Sequence, residues 1–202
     1  MAAHDTSDHT PSTRQWLTER QAATVDSLLD AALAALREVG YEKLGLRDVA
    51  TRAGVTHTTA YNYFSSKEHL VAELIWRIYR GLPTPEPDLY APISARLVDS
   101  LQEMSAMFTR EPELQKAVLA SLVAMDPEVQ RVRNEIGTDV LRRLEVALGP
   151  DTDAYLLDAA LLLYSGAMLQ AGLGYFTFDE VVARMGPIME MWSGSTKTEP
   201  LR

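Results

Sequence analysis

The chain has 202 residues, 47% of them hydrophobic and 23% charged, and its 19 basic and 28 acidic side chains leave a net charge of −9. This balance supports one or two globular domains and disfavours wholesale disorder, collagen-like sequence or a small stapled scaffold. Without cysteine there are no disulfides, thiolate metal sites or cysteine nucleophiles, and MAAHDTSDHTPSTR lacks the apolar core of a signal peptide, so a cytoplasmic protein is expected.

Residues 1–17 contain too few apolar groups to offset ordering entropy and are predicted to be a disordered tail. Thr18-x-x-Gln21 then has the form of a capping box, and Val25, Leu28, Leu29, Ala32, Leu36 and Val39 recur at helical spacing until Gly40 stops the helix. LRDVATRAG and THTTAYNYF are two short helical segments joined by a turn at Gly54-Val55, which suggests a helix-turn-helix within a three-helix domain over residues 18–66. A second box, Ser65-x-x-Glu68, opens a connecting helix over 67–81. The stretch GLPTPEPDLYAP holds four prolines, which forbid a continuing helix and make 82–92 a linker.

Helical patterns resume through Ile93, Leu97, Leu101, Met104 and Phe108, then through Leu114 to Met125, and then through Val129 to Leu144. Pro112 and Pro127 stand where a first helical turn tolerates proline. An uncharged run over 159–178 and a segment from Asp179 to Trp192 complete a second helical domain over 93–192, with 193–202 as a flexible end. The uncharged run approaches membrane-spanning length, but three glycines, Gln170 and acidic flanks favour a helix packed within the chain and against a partner subunit, so no membrane partner is expected. No strand pattern appears, and the fold class is all-α with about nine helices.

Charge divides unevenly. Residues 1–81 carry nine basic and ten acidic groups, whereas residues 82–202 carry ten and eighteen. Within 43–81, Lys43, Arg47, Arg52, Lys67, Arg77 and Arg80 outnumber three acids, so a nucleic-acid partner would meet this part. Thr56 is placed to cap the third helix, on which His57, Thr58, Thr59, Tyr61, Asn62 and Tyr63 crowd polar edges into less than two turns. Threonine methyls suit thymine methyls, Asn62 suits an adenine edge, and the hydroxyls of Tyr61 and Tyr63 with the Lys67 amine suit phosphates. Taken singly, the same aromatics read as core and Arg47 or Lys67 as solvated charge.

In register together, Gly40-Tyr41, Arg47-Asp48-Val49-Ala50, Ala53-Gly54-Val55, Tyr61, Tyr63-Phe64, Ser66-Lys67-Glu68 and Leu70 resemble the TetR family of transcriptional regulators. The resemblance implies DNA contacts at Arg47, His57, Thr58, Thr59, Tyr61, Tyr63 and Lys67, with Val49, Val55 and Phe64 as packing residues. It also implies a second domain that binds an effector and dimerises through its last two helices. Gly45, Thr58 and Ala60 depart from common family choices, so the operator sequence does not transfer.

Apolar and aromatic residues at Trp76, Met104, Met107, Phe108, Leu122, Met125, Tyr164 and Met168 are candidate ligand contacts, although such a stripe also reads as core. Tyr155, Leu162, Leu169 and Leu173, with Val181, Val182, Met185, Met189 and Trp192, are candidates for the subunit interface. The four histidines have no metal-site spacing, and no nucleophile motif or phosphate loop is present, so neither metal, cofactor nor catalysis is expected. The leading expectation is a homodimeric repressor released from a palindromic double-stranded operator by a hydrophobic small molecule. The alternative is an all-α carrier or enzyme whose helix-turn-helix does not bind DNA.

Overall fold

The computed structural model describes residues 18–84, 86–150 and 153–195, leaving the side chains of residues 122 and 193–195 outside the description. The expected N-terminal tail lies outside the described residues. Among these there are nine helices and no strand: α1 (Glu19–Lys43), α2 (Leu46–Arg52), α3 (His57–Tyr63), α4 (Lys67–Arg80), α5 (Ile93–Arg110), α6 (Pro112–Val123), α7 (Pro127–Leu148), α8 (Ala154–Gly172) and α9 (Glu180–Ser195).

The local signals act largely as the sequence predicts. Thr18 Oγ1 accepts the Gln21 N–H while Gln21 Oε1 accepts the Thr18 N–H, which satisfies two otherwise unpaired donors at the start of α1. Gly40 breaks α1 with φ 75° and ψ 168°, a conformation that glycine adopts without a Cβ penalty. Pro112 and Pro127 both sit at the first turns of their helices.

The second capping box is a correction. Ser66, not Ser65, caps α4 by accepting the His69 N–H at 3.0 Å. Ser65 directs its hydroxyl to Asp126, sixty-one residues away, at 2.7 Å. Glu68, the expected reciprocal partner of Ser65, instead accepts the Tyr41 hydroxyl at 3.1 Å.

Helices α1 to α3 pack around Leu28, Leu29, Leu36, Val49, Ala60 and Phe64. Helix α4 extends that core into the second domain through Leu70, Leu74, Ile75 and Tyr79, so one continuous cluster runs from Val25 to Met189. In the second domain α5 lies along α9 and α7. Gly172 lets α8 approach α6 closely, since a Cβ there would stand 2.9 Å from Leu119 Cδ2.

Polar ties reinforce the junction between the domains. Arg37 pairs with Glu111 at the start of α6, and Arg131 on α7 pairs with Glu73 on α4 at 2.7 Å. Burial is the strongest single influence on Glu73 and pushes its pKa upward, but His69 and Arg131 together hold it below the usual carboxylate value. Glu111 is likewise held low, chiefly by Arg37. A carboxyl whose pKa is lower in the folded chain stabilises fully above its unfolded value, and that contribution is lost as pH falls through the folded value. The melting temperature is therefore expected to lose these contributions below about pH 4. Glu73→Gln should make the acid limb shallower in circular dichroism melts; an equally steep limb would remove Glu73 from this role.

Candidate nucleic-acid interface

Helix α2 starts at Gly45 without a side-chain cap, and Arg47 lies exposed in its first turn. Gly54, at φ 68°, turns the chain toward α3, and the Val55 N–H closes the turn on the Ala50 carbonyl at 3.0 Å. Thr56 Oγ1 accepts the Thr59 N–H at 3.1 Å and so caps α3. Buried Ala60 and Phe64 anchor the opposite side of this short segment to the domain core.

That anchoring sorts the candidate residues. Positions four apart on a helix share a face, so His57 and Tyr61, with Thr58 and Asn62, form one outward face, and all four are exposed. Thr59 and Tyr63 form a half-buried flank beside it. The Thr59 hydroxyl lies 2.8 Å from that of Thr56, so it is engaged at the cap rather than presented outward. This tie was not legible in the sequence, because Thr58 and Thr59 offer identical chemistry.

Lys67 opens α4 half-buried. Its ammonium sits 4.2 Å from the Tyr41 ring centroid and donates to the Tyr41 carbonyl at 3.3 Å. The Tyr41 hydroxyl in turn donates to Glu68 at 3.1 Å. A lysine held this way has less rotamer freedom left to lose on contact with an anion. By contrast, Arg52 is paired with Glu38 at 2.6 Å and Arg77 with Asp30 at 2.7 Å.

The candidate ligand residues fall into two groups. Met104, Met107 and Phe108 on α5 and Tyr164 on α8 are buried together, with Met168 half-buried beside them. The Tyr79 hydroxyl donates to Met104 Sδ at 3.0 Å, and the Phe108 ring lies 4.7 Å from that of Phe178. Burial pushes the Tyr79 and Tyr164 phenols well above their ordinary pKa, so both remain protonated donors. These residues form closed core and line none of the three clefts that stand out among the described residues.

Trp76 instead lines a cleft of about 580 Å³ between α1, α3, α4 and α7, together with Tyr61, His69, Glu73 and Arg131. Met125 is 92% exposed and is not brought to the others. Its spacing after Leu122 reads as a continued helical stripe, but α6 ends at Val123 and Met125 lies in the extended link to α7. The side chain of Leu122 lies outside the description.

Tyr155, Leu162 and Leu169 on α8, Leu173 just after it and Trp192 on α9 are all exposed. Val181, Val182, Met185 and Met189, also expected at the subunit interface, are buried inside their own chain against α5 and α8. Among the described side chains, α9 presents Ala183, Arg184, Pro187, Met191 and Trp192 outward. The sequence reading also missed buried Arg143, which donates to Asp139 at 2.8 Å and to the Pro83 carbonyl at 2.8 Å.

The sequence profile of bacterial regulatory proteins of the tetR family matches residues 28–74. An uncharacterised HTH-type transcriptional regulator of Mycobacterium tuberculosis is 40% identical over 172 residues, covering 84% of this chain and 80% of that protein. The HTH-type transcriptional repressor KstR of Rhodococcus jostii is 29% identical over 128 residues, 62% of this chain and 59% of that one. Among solved structures, a TetR transcriptional regulator from a Rhodococcus species matches with TM-score 0.67 at 20% identity, over 90% of this chain and all of that one. The regulator FadR from Bacillus subtilis, in complex with stearoyl-CoA, matches with TM-score 0.54 at 16% identity, over 81% and 96%. At these identities the solved structures show the fold.

Proposed function

The chain belongs to the TetR family of transcriptional regulators, and from that premise we propose that it is a homodimeric repressor of a palindromic operator, released by an apolar small molecule. The observation that carries this reading is the outward face of α3, where His57, Thr58, Tyr61 and Asn62 stand exposed between Arg47 and Lys67. Short polar side chains near a helix N-terminus suit base edges in the major groove, and flanking cations suit the phosphates. The match to a protein named as a repressor supports the direction of regulation. Selection of bound fragments from genomic DNA should enrich one palindrome. A random fragment set would favour a carrier or enzyme instead.

Side-chain roles then separate by the DNA offered. Lys67→Ala should weaken binding to operator and random DNA alike, because a phosphate contact carries no sequence information. Thr58→Ala should weaken operator binding by about 1 to 3 kcal/mol and leave random DNA nearly unaffected. Fluorescence anisotropy on both DNAs checks this, and equal losses for both variants would remove the assignment.

The dimer reading rests on α8. Tyr155, Leu162 and Leu169 recur every seven residues, which places them on one stripe of a nearly straight helix. Gly166 adds no bulk beside that stripe, since a Cβ there would meet nothing within 4 Å. Among the described residues α8 is also the one helix long and apolar enough to cross a membrane. A second copy of the stripe covers it without exposing the acidic ends of the helix to lipid.

For the effector, the candidates are the closed cluster of Met104, Met107, Phe108, Tyr164 and Met168 and, apart from it, Trp76 in the cleft beside α3. Methionine side chains repack readily, so an apolar ligand can be admitted by their displacement, and binding one conformation preferentially shifts the equilibrium. The relative bound to stearoyl-CoA supports an apolar chain as one class of effector.

A further inference from the structure

The turn after the recognition helix is tied to the second domain by a single carboxylate. Asp126 caps α7 with Oδ1, which accepts the Glu128 N–H at 2.9 Å. Its other oxygen accepts two hydroxyls from the α3–α4 turn, Ser65 at 2.7 Å and Ser66 at 2.8 Å. Ser66 is simultaneously the cap of α4, and the Ser65 N–H donates to His69 Nδ1 at 3.2 Å. The N-terminal cap of α4 is thus fixed to the N-terminal cap of α7.

A second tie lies further along the same pair of helices. Arg131 on α7 reaches Glu73 on α4 at 2.7 Å, and Glu128 and Glu135 on its own helix at 3.0 and 2.6 Å hold the guanidinium in place. From Ser66 to Glu73 is seven residues, or about 10 Å of helix. One tie between two rods leaves a pivot. Two ties at that separation also fix the angle between them.

We propose that Asp126 is a positioning residue that sets the angle of α3 and α4 relative to the second domain, and thereby the half-site spacing that the dimer accepts. The inference rests on the dimeric, operator-binding reading above. Helix α4 has 14 residues and is about 21 Å long. A tilt of about 5° moves its N-terminus by about 1.8 Å, and opposite movements in two protomers change the separation of the recognition helices by about 3.6 Å. That is close to the rise of one base pair, about 3.4 Å. Small losses of angular definition therefore appear first as tolerance of wrong spacing.

The test uses the operator recovered by fragment selection, together with versions whose central spacer is one base pair longer or shorter. Two variants loosen the tie from opposite sides. Asp126→Asn preserves a capping oxygen for α7 while removing the carboxylate that receives the serines, and Ser65→Ala removes a hydroxyl that caps no helix. The full-length unaltered protein is expected to discriminate against both altered spacings. Each variant should reduce that discrimination about tenfold, with a smaller loss on the correct spacing, as befits a hydrogen bond to a charged group.

Unchanged discrimination in both variants would overturn the proposal. If the unaltered protein prefers no spacing, the operator reading fails, and amide hydrogen exchange without DNA decides the positioning claim. Faster exchange over residues 57–70 in Asp126→Asn, with α8 and α9 unaffected, supports it; an unchanged pattern over 57–70 overturns it.

Discussion

Leu162→Glu is expected to make the protein monomeric at micromolar concentration and to weaken operator binding by at least about a hundredfold. Leu162 is 74% exposed at the middle of the α8 stripe. In a two-fold interface one substitution introduces two carboxylates, each facing the same surface of the other subunit. Each loses about 2 kcal/mol of leucine burial and gains an unpaired charge whose desolvation costs several kcal/mol more. A monomer keeps the contacts of one half-site only, so the operator affinity should fall with the dimer. Sedimentation and anisotropy measure the two consequences. Gln102→Glu, on an exposed position of α5, adds the same charge away from the stripe and should leave the dimer intact. A Leu162→Glu protein that stays dimeric would place the interface elsewhere.

Arg143→Ala should lower stability by about 3 to 5 kcal/mol, because it strips one partner from a buried charged cluster. Arg143 is 2% exposed. Its guanidinium bonds Asp139 at 2.8 Å, the Pro83 carbonyl at 2.8 Å and the Leu82 carbonyl at 3.4 Å, and lies 5.4 Å from the Tyr79 ring centroid. Removing it leaves two linker carbonyls without a donor and opens a void under Tyr79. For a chain of this size the loss corresponds to a fall of about 10 °C in melting temperature. Arg143→Met fills part of the volume and removes the buried cation, so it should cost less than alanine. A loss below about 1 kcal/mol for alanine would show that the cluster contributes little.

The helices were legible because their apolar residues recur at helical spacing and their ends carry recognisable caps, as at Thr18 and Gly40. What the sequence did not reveal were choices made by distant partners. Ser65-x-x-Glu68 has the form of a capping box, yet Glu68 is taken up by the Tyr41 hydroxyl and Ser66 caps the helix. Thr59 looks like Thr58 until the cap at Thr56 engages it. Asp126, Arg131 and Arg143 carry no local signal, because their partners in the α3–α4 turn, on α4 and in the linker lie about sixty positions away. On α9 apolar residues occupy both sides, so periodicity did not show that Val181, Val182, Met185 and Met189 turn inward while Pro187 and Met191 turn outward. Of the proposed DNA contacts, His57, Thr58, Tyr61 and Asn62 share one exposed face of α3, because positions three and four apart stand together on a helix.

The uninterrupted core across α4 also restricts how such a regulator can be recombined. Grafting residues 18–80 onto the sensor of another regulator would transplant Leu74, Ile75 and Tyr79 without the surface that encloses them. A hybrid made at the proline-rich segment would therefore inherit a mismatched seat for α4 even when both halves are native. Exchange at this joint succeeds only if the facing surfaces of α5, α6 and α7 travel with the donor, which makes the seat of α4, rather than the linker, the natural unit of inheritance.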